Sequence, residues 1–553
     1  MNALIAQIRD VSYIEANSII KQRSGIVDYF LSEDEKSEFI AIHFDKSHIV
    51  CEDRVSYGDW QTPMSLAEKV CEVHLSKYGA PDIAIEPTCG LGAFIFAALK
   101  KFQNIKEIHA IEINGQYTTE LKLKLLLNAL SSPLQKFPDI YIYNSDFFKF
   151  DFTPIIENSK RMGWNMAVIG NPPWVTNSTQ GKNSSHNIPL KSNIYGLKGI
   201  DAITGKSNFD ISEFITLQLL NLSQINNGGI SFLLKNSVIR NILMKQRIEN
   251  FHIGNIEQRL INASSEFNVS VDASCFHAQF NCPPSYICRV MDFYSNSYIR
   301  DYGWLNDSFV SDTNLYSDVS RYDKKSSYVW RSGIKHDCAS ILELTFSDGV
   351  YKNGFGEIVQ IEDDLIYPLL KSSDLNNYQA HKFRKFIIVP QRKVGESTSG
   401  LKYSHPRAFS YLTKYENAFS NRKSRIYRGK DKFSIFGIGD YSFKPYKIIV
   451  SSLYKTIKFV IVSPFKGQPI MVDDTCYQLD FDNLEEAKCI LAALNSDEIQ
   501  ALLQSLVFKD AKRVVTKSLL MRLDLTQLCK EKGMTIKARE LDYSAYHQLS
   551  LFE

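Results

Sequence analysis

Between residues 83 and 174 one pattern recurs four times: a short apolar run, a polar or glycine-bearing stop, and then a helical stretch. The runs are Ile83–Glu86, Ile108–Ile113, Ile140–Tyr143 and Ala167–Ile169. Short apolar runs bounded by turn residues suit buried strands. Strands that alternate with helices predict a parallel, doubly wound α/β sheet. Gly228–Leu234 continues the series, and Ile253–Ile256 and Val271–Phe276 supply its last strands. In such a sheet, ligands bind just past the carboxyl ends of the strands. The residues at those ends therefore carry the chemistry.

The first run leads into Glu86-Pro87-Thr88-Cys89-Gly90-Leu91-Gly92-Ala93-Phe94 and straight into a helix. Glycines in that turn let a ligand approach the backbone, and the helix N-terminus offers free N–H groups to a carboxylate. The spacing is not that of the GxGxxG dinucleotide fingerprint. The second run ends in Glu112-Ile113, where a carboxylate is placed to accept both hydroxyls of a ribose. The third ends in Asn144-Ser145-Asp146-Phe147-Phe148, an acceptor beside aromatic rings suited to an adenine. The fourth stops at Gly170-Asn171-Pro172-Pro173-Trp174. Two prolines fix φ and remove two backbone donors, so this stretch is a stiff loop. An amide oxygen and a rigid carbonyl can together accept both protons of an exocyclic amino group, while an indole stacks on the ring that bears it. Upstream, Thr62-Pro63 precedes an amphipathic helix, and Thr62 suits an N-cap or nearby position. Each feature alone has an ordinary reading as a turn, a cap or core. All of them on one edge of one sheet indicate a shared ligand site.

At 553 residues the chain has room for two or three domains. Ten cysteines are scattered without CxxC pairs or His/Cys clusters, which argues against a zinc site and for free thiols in a reducing cytoplasm. No apolar run approaches the roughly 20 residues that span a membrane. The net charge of +3 is nearly neutral, so an anionic partner must be drawn by a local patch.

Residues 1–50 carry helical periodicity and form a lead-in; residues 51–295 hold the strand–helix series. Within that series, residues 175–208 are polar and are expected to form a mobile loop beside the site, and Ser207-Asn208-Phe209-Asp210 to cap a helix through Leu222. From 296 to 553 the alternation ends and basic and aromatic residues mix, most densely at Arg422, Lys423, Arg425, Arg428 and Lys430. Lys444, Lys447, Lys455 and Lys458 continue the bias among tyrosines and phenylalanines. Clustered Arg and Lys with interleaved Tyr, Ser and Asn suit phosphate and base-edge contacts.

With these residues in place, the sequence resembles the bacterial DNA adenine-N6 methyltransferases of restriction–modification systems, in their gamma arrangement. Asn171-Pro172-Pro173-Trp174 is similar to their (Asp/Asn/Ser)-Pro-Pro-(Tyr/Phe/Trp) signature. Glu86 to Phe94 resembles their S-adenosylmethionine loop, Glu112 their ribose-binding acid, and Asp146-Phe147 their adenine-binding pair. Thr62 sits where that family contacts the methionine end of the cofactor. The resemblance implies a Rossmann-like sheet that binds S-adenosylmethionine, followed by an α+β target-recognition domain at 296–553. It implies methylation at N6 of an adenine flipped out of double-stranded DNA, with no metal and no membrane, and with a cognate restriction endonuclease as system partner. Phe267 and Phe276 are both candidates for the second ring that stacks on the target base. Two alternatives share features of this pattern. One is a methyltransferase of RNA bases or of a protein glutamine, and the other a non-catalytic DNA-binding specificity subunit.

Overall fold

A computed structural model describes residues 1–41, 61–131, 136–175, 210–380, 382–510 and 513–534. The expected loop at 175–208 lies outside the described residues except for Val175, as do Tyr57–Trp60, Ser207–Phe209 and Ala511-Lys512. Two compact units divide the chain, Met1–Phe309 and Val310–Glu553.

The first unit is built on an eleven-stranded sheet. Its strands are β1 (Ile26–Val27), β2 (Ile83–Glu86), β3 (Glu107–Glu112), β4 (Asp139–Asn144), β5 (Asn165–Gly170), β6 (Asn227–Lys235), β7 (Ile253–Ile261), β8 (Ala273–Phe280), β9 (Ile287–Asp292), β10 (Tyr298–Leu305) and β11 (Ser308–Val310). Their spatial order is β1-β4-β3-β2-β5-β6-β8-β7-β9-β10-β11. From β1 through β6 neighbouring strands are parallel, and β8 runs antiparallel between β6 and β7. Sequence order reverses across β2: β3 and β4 lie on one side, β5 and β6 on the other. That reversal is the switch point at which open α/β sheets bind ligands.

Helices α1 (Asn2–Ile8), α2 (Tyr13–Ser24), α3 (Glu33–Ala41), α4 (Met64–Tyr78), α5 (Ala93–Lys101), α6 (Gly115–Ser131), α7 (Thr153–Met162), α8 (Ile211–Ser223), α9 (Asn236–Glu249) and α10 (Ala263–Phe267) accompany the strands. Strand β2 is buried at every position, as a strand covered on both faces must be. The lead-in is not a separate helical piece: a capping box of Ser12 and Glu15 starts α2, and Ile26 and Val27 then pair with β4. The first unit also continues past residue 295, because β10 pairs antiparallel with β9. The end of the helix alternation marks a change to antiparallel pairing, not the end of the unit.

The second unit contains a four-stranded and a six-stranded sheet with helices, a mixed arrangement as expected. Late in the chain two helices follow one another, Leu484–Leu494 and Asp497–Leu506, the second capped by Ser496. Among the described residues no helix is long and apolar enough to cross a membrane, and no group of three or more His, Cys, Asp or Glu is arranged to hold a metal ion.

Candidate active site

Read across the carboxyl edge, β4, β3, β2 and β5 bring Asp146, Glu112, Glu86 and Asn171 into one row. Glu112 lies in register with Asn144 of β4, and Ile85 of β2 with Val168 of β5. At Gly170 a side chain would stand 3.5 Å from the Glu86 side chain and 3.7 Å from Pro87, so the first and fourth loops are in direct contact.

Glu112 organises the glycine turn. Its carboxylate accepts from the Gly90 N–H and the Asn114 N–H, both at 2.8 Å. Ile113 beside it is 43% exposed, an apolar surface standing at the site. Gly92 has φ +82° and a Cβ there would strike Leu121 at 2.3 Å, so only glycine closes the turn onto α5. Cys89 is buried, and its N–H donates to the Ile111 carbonyl, so it joins the turn to β3 through the backbone. A Cβ added at Gly90 would stand 3.4 Å from the Gln61 side chain, which adds Gln61 to the site, a residue that no sequence pattern singled out. Asp146 turns its own loop by accepting from the Phe148 N–H. Phe147 is buried against Phe148 and Phe152, and half-buried Phe148 also meets Phe214.

Glu86 is 2% exposed, and among the described residues its Oε2 has no hydrogen-bond partner; the same holds for the buried Thr88 Oγ1. Burial first, and the Glu112 charge second, push the Glu86 carboxyl well above its usual range, against a backbone hydrogen bond at Ile95. A raised carboxyl pKa means that the folded chain holds a proton the unfolded chain releases. Stability of the ligand-free protein should therefore fall as pH rises above about 4.5, until the folded pKa is passed. Glu86→Gln should flatten this part of the curve. Urea midpoints measured from about pH 4.5 to about pH 8 check it, and an unchanged slope would remove Glu86 as its source.

Asn171 donates its Nδ2 to the Thr62 hydroxyl at 3.2 Å. Thr62 stands immediately before the N-cap of α4, which is Pro63 and has no side-chain bond. The Thr62 hydroxyl thus accepts from the amide nitrogen and ties the Asn171 side chain to the segment before α4. Pro172 is buried and Pro173 half-buried. Trp174 is not an open platform: it is 7% exposed, sends its indole N–H to the Leu233 carbonyl at 3.1 Å, and meets Phe267 edge-to-face at 5.3 Å. Of the two ring candidates, Phe267 is therefore at the loop. Phe276 is not: it sits in mid-β8, 1% exposed, opposite Phe232 and Gln258, and is core.

No protein-family model matches the sequence. The type II methyltransferase M.NspV of Nostoc sp. (strain ATCC 29411 / PCC 7524) is 40% identical over 486 residues, which cover 87% of this chain and 99% of that protein. The chain belongs to the type II methyltransferases. Among solved structures, the type IIL restriction-modification enzyme MmeI, determined in complex with DNA, matches this methyltransferase with a TM-score of 0.50. The match covers 92% of this chain and 70% of that one at 12% identity, a likeness of fold.

In the second unit of the methyltransferase the basic run divides into inward and outward residues. Arg422 is structural. Its guanidinium donates to the carbonyls of Phe419, Ser434, Lys432 and His336 at 3.0, 2.6, 2.9 and 3.3 Å, and lies 3.5 Å from the Tyr427 ring centre. Four of the fork's five N–H groups are committed to carbonyls, which leaves no bidentate face for DNA, so the expected contact by Arg422 is withdrawn. Lys423, Arg425, Arg428 and Lys430 are exposed and form no ion pair among the described residues. Farther on, Lys447 is fully buried, bonded to the carbonyls of Lys444 and Ile470, and Lys444 is paired with Asp482. The apparent basic run at 444–458 is thus partly interior.

Proposed function

We propose that this methyltransferase transfers a methyl group from S-adenosylmethionine to N6 of an adenine flipped out of duplex DNA, as the modification enzyme of a restriction–modification system. The observation that carries this reading is the Asn171–Thr62 hydrogen bond beside the switch point, next to a row of acids on β4, β3 and β2. The site fits the cofactor. Glu86 Oε2 and Thr88 Oγ1 are buried oxygens without partners among the described residues, suited to an amino acid's ammonium, and Glu112 suits a ribose diol. Asp146 and Ile113 suit the adenine end, with Pro87, Cys89, Gly90 and Phe147 shaping the walls. S-adenosylmethionine supplies an electrophilic methyl on a sulfonium.

The chain's own groups do the rest. Thr62 orients the Asn171 amide, and its oxygen with the Pro172 carbonyl accepts the two protons of the target amino group. The nitrogen lone pair, otherwise conjugated into the ring, is thereby freed toward the methyl. Flipping is needed because that nitrogen cannot be reached inside the stack. Phe267 and Trp174, each 7% exposed, brace the loop from within rather than offer an open stacking face. Positioning accounts for most of the rate.

Purified chain offered plasmid, ribosomal RNA and a release-factor protein with labelled S-adenosylmethionine separates DNA from the RNA and glutamine alternatives. Mapping N6-methyladenine in DNA from cells expressing this chain alone identifies the base and its site; no methyladenine would overturn the reading. The basic loop is tested by sorting its arginines. Arg425→Ala and Arg428→Ala should each lower the salt slope of DNA binding by about one without moving the unfolding midpoint. Arg422→Ala should instead destabilise the second unit, by about 1–3 kcal/mol for the buried carbonyls left without donors. Salt-dependent binding and thermal melts on the three variants decide it; an unchanged melt for Arg422→Ala would return that residue to the surface.

A further inference from the structure

The two prolines of the transfer loop carry no N–H, so two of the five residues 171–175 offer no backbone donor and the loop leans on its neighbours. Three holds are already plain: Thr62 on the Asn171 amide, the Leu233 carbonyl on the Trp174 indole, and the Ile211 N–H on the Val175 carbonyl at 3.0 Å. The fourth is a charged pair. Lys235, the last residue of β6, donates its Nζ to the Trp174 carbonyl at 2.8 Å and to Asp210 Oδ2 at 2.6 Å. Asp210 is 8% exposed, and its other oxygen caps α8 by accepting from the Ser212 N–H at 3.1 Å and the Ser212 hydroxyl at 2.6 Å. The acid is locked to a helix end, the ammonium to the acid, and the loop carbonyl to the ammonium.

We propose that Lys235, held by Asp210, is a positioning residue for methyl transfer that sets the Asn171-Pro172 acceptors against the incoming amino group through the Trp174 carbonyl. This rests on the assignment of residues 171–174 as the transfer loop. Lys235 touches neither the target nor the cofactor in this role. Its three donors serve the acid and the carbonyl at once, which a neutral side chain of similar length cannot do. Because displacements near 1 Å can cost about a hundredfold in a reaction governed by alignment, a loosened loop should appear in turnover rather than in cofactor binding.

The test uses the full chain, S-adenosylmethionine and a duplex containing the mapped site. Lys235→Met should lower kcat by about 30- to 100-fold, with affinity for S-adenosylmethionine within about threefold and the melting temperature within a few degrees. Asp210→Asn keeps an oxygen for the α8 cap but removes the charge, and should lower kcat in the same direction by a smaller factor. The double variant should be no slower than Lys235→Met, because both changes cut one chain of contacts. Lys235→Arg, which keeps the charge, should recover part of the loss. The proposal is overturned if Lys235→Met turns over within about threefold of wild type, or if its whole defect lies in cofactor affinity or in melting. If Lys235→Met does not fold, kcat of Asp210→Asn decides by the same criterion. Asn171→Ala run in parallel separates the two levels: an active Asn171→Ala means that the loop assignment itself has failed. An inactive Asn171→Ala beside an unaffected Lys235→Met means that only the role of Lys235 has failed.

Discussion

Replacing Asn171 with alanine should abolish methyl transfer, by about a hundred- to a thousandfold, while affinity for S-adenosylmethionine stays within a few-fold. The change removes the amide oxygen proposed to accept from the target amino group and leaves intact the groups assigned to the cofactor. It also removes one hold on the Thr62 hydroxyl, which lies 3.2 Å from Nδ2, so a modest secondary effect at the methionine end is expected. Single-turnover incorporation of labelled methyl measures the first quantity and calorimetry the second. Turnover above about a tenth of wild type, a loss of only ~1.4 kcal/mol, would remove Asn171 from the chemistry.

Glu112→Ala should do the reverse and weaken S-adenosylmethionine binding about ten- to a hundredfold, as expected from losing a charged acceptor worth roughly 1.5–3 kcal/mol. The structure adds a second reason, since the same carboxylate holds the Gly90 and Asn114 N–H groups. Glu112→Gln distinguishes this from a merely solvated glutamate. Glutamine keeps one acceptor but turns an NH₂ toward a backbone N–H, and should bind the cofactor nearly as poorly as the alanine variant. Calorimetric affinity equal to wild type in both variants would take Glu112 out of the cofactor site.

What the sequence made legible was the part governed by short-range rules. Apolar runs with glycine and proline stops located the strands, and the residues at their ends proved to share one edge. Five residues escaped because their roles depend on who the neighbour is. Trp174 reads as an exposed ring from its place after two prolines, yet Leu233 and Phe267 bury it. Arg422 reads as one more cation in a basic run, yet its side chain turns inward onto four carbonyls. Phe276 lies in a strand whose residues are buried nearly throughout, so no alternation marked which face it would take. Gln61 and Lys235 escaped for the same reason, since each acts on residues remote in sequence.

The order of strands at the carboxyl edge also works as a ruler. Neighbouring strands lie about 4.8 Å apart, so the three steps from β4 through β3 and β2 to β5 measure roughly 14 Å. A ligand laid along that edge with its purine beside Asp146 has a defined direction, and whatever lies at its far end is delivered to Asn171. Reach is thus set by counting strands, independently of any one side chain. Fragments that carry only the purine and sugar would occupy the first two steps and never arrive at the fourth strand.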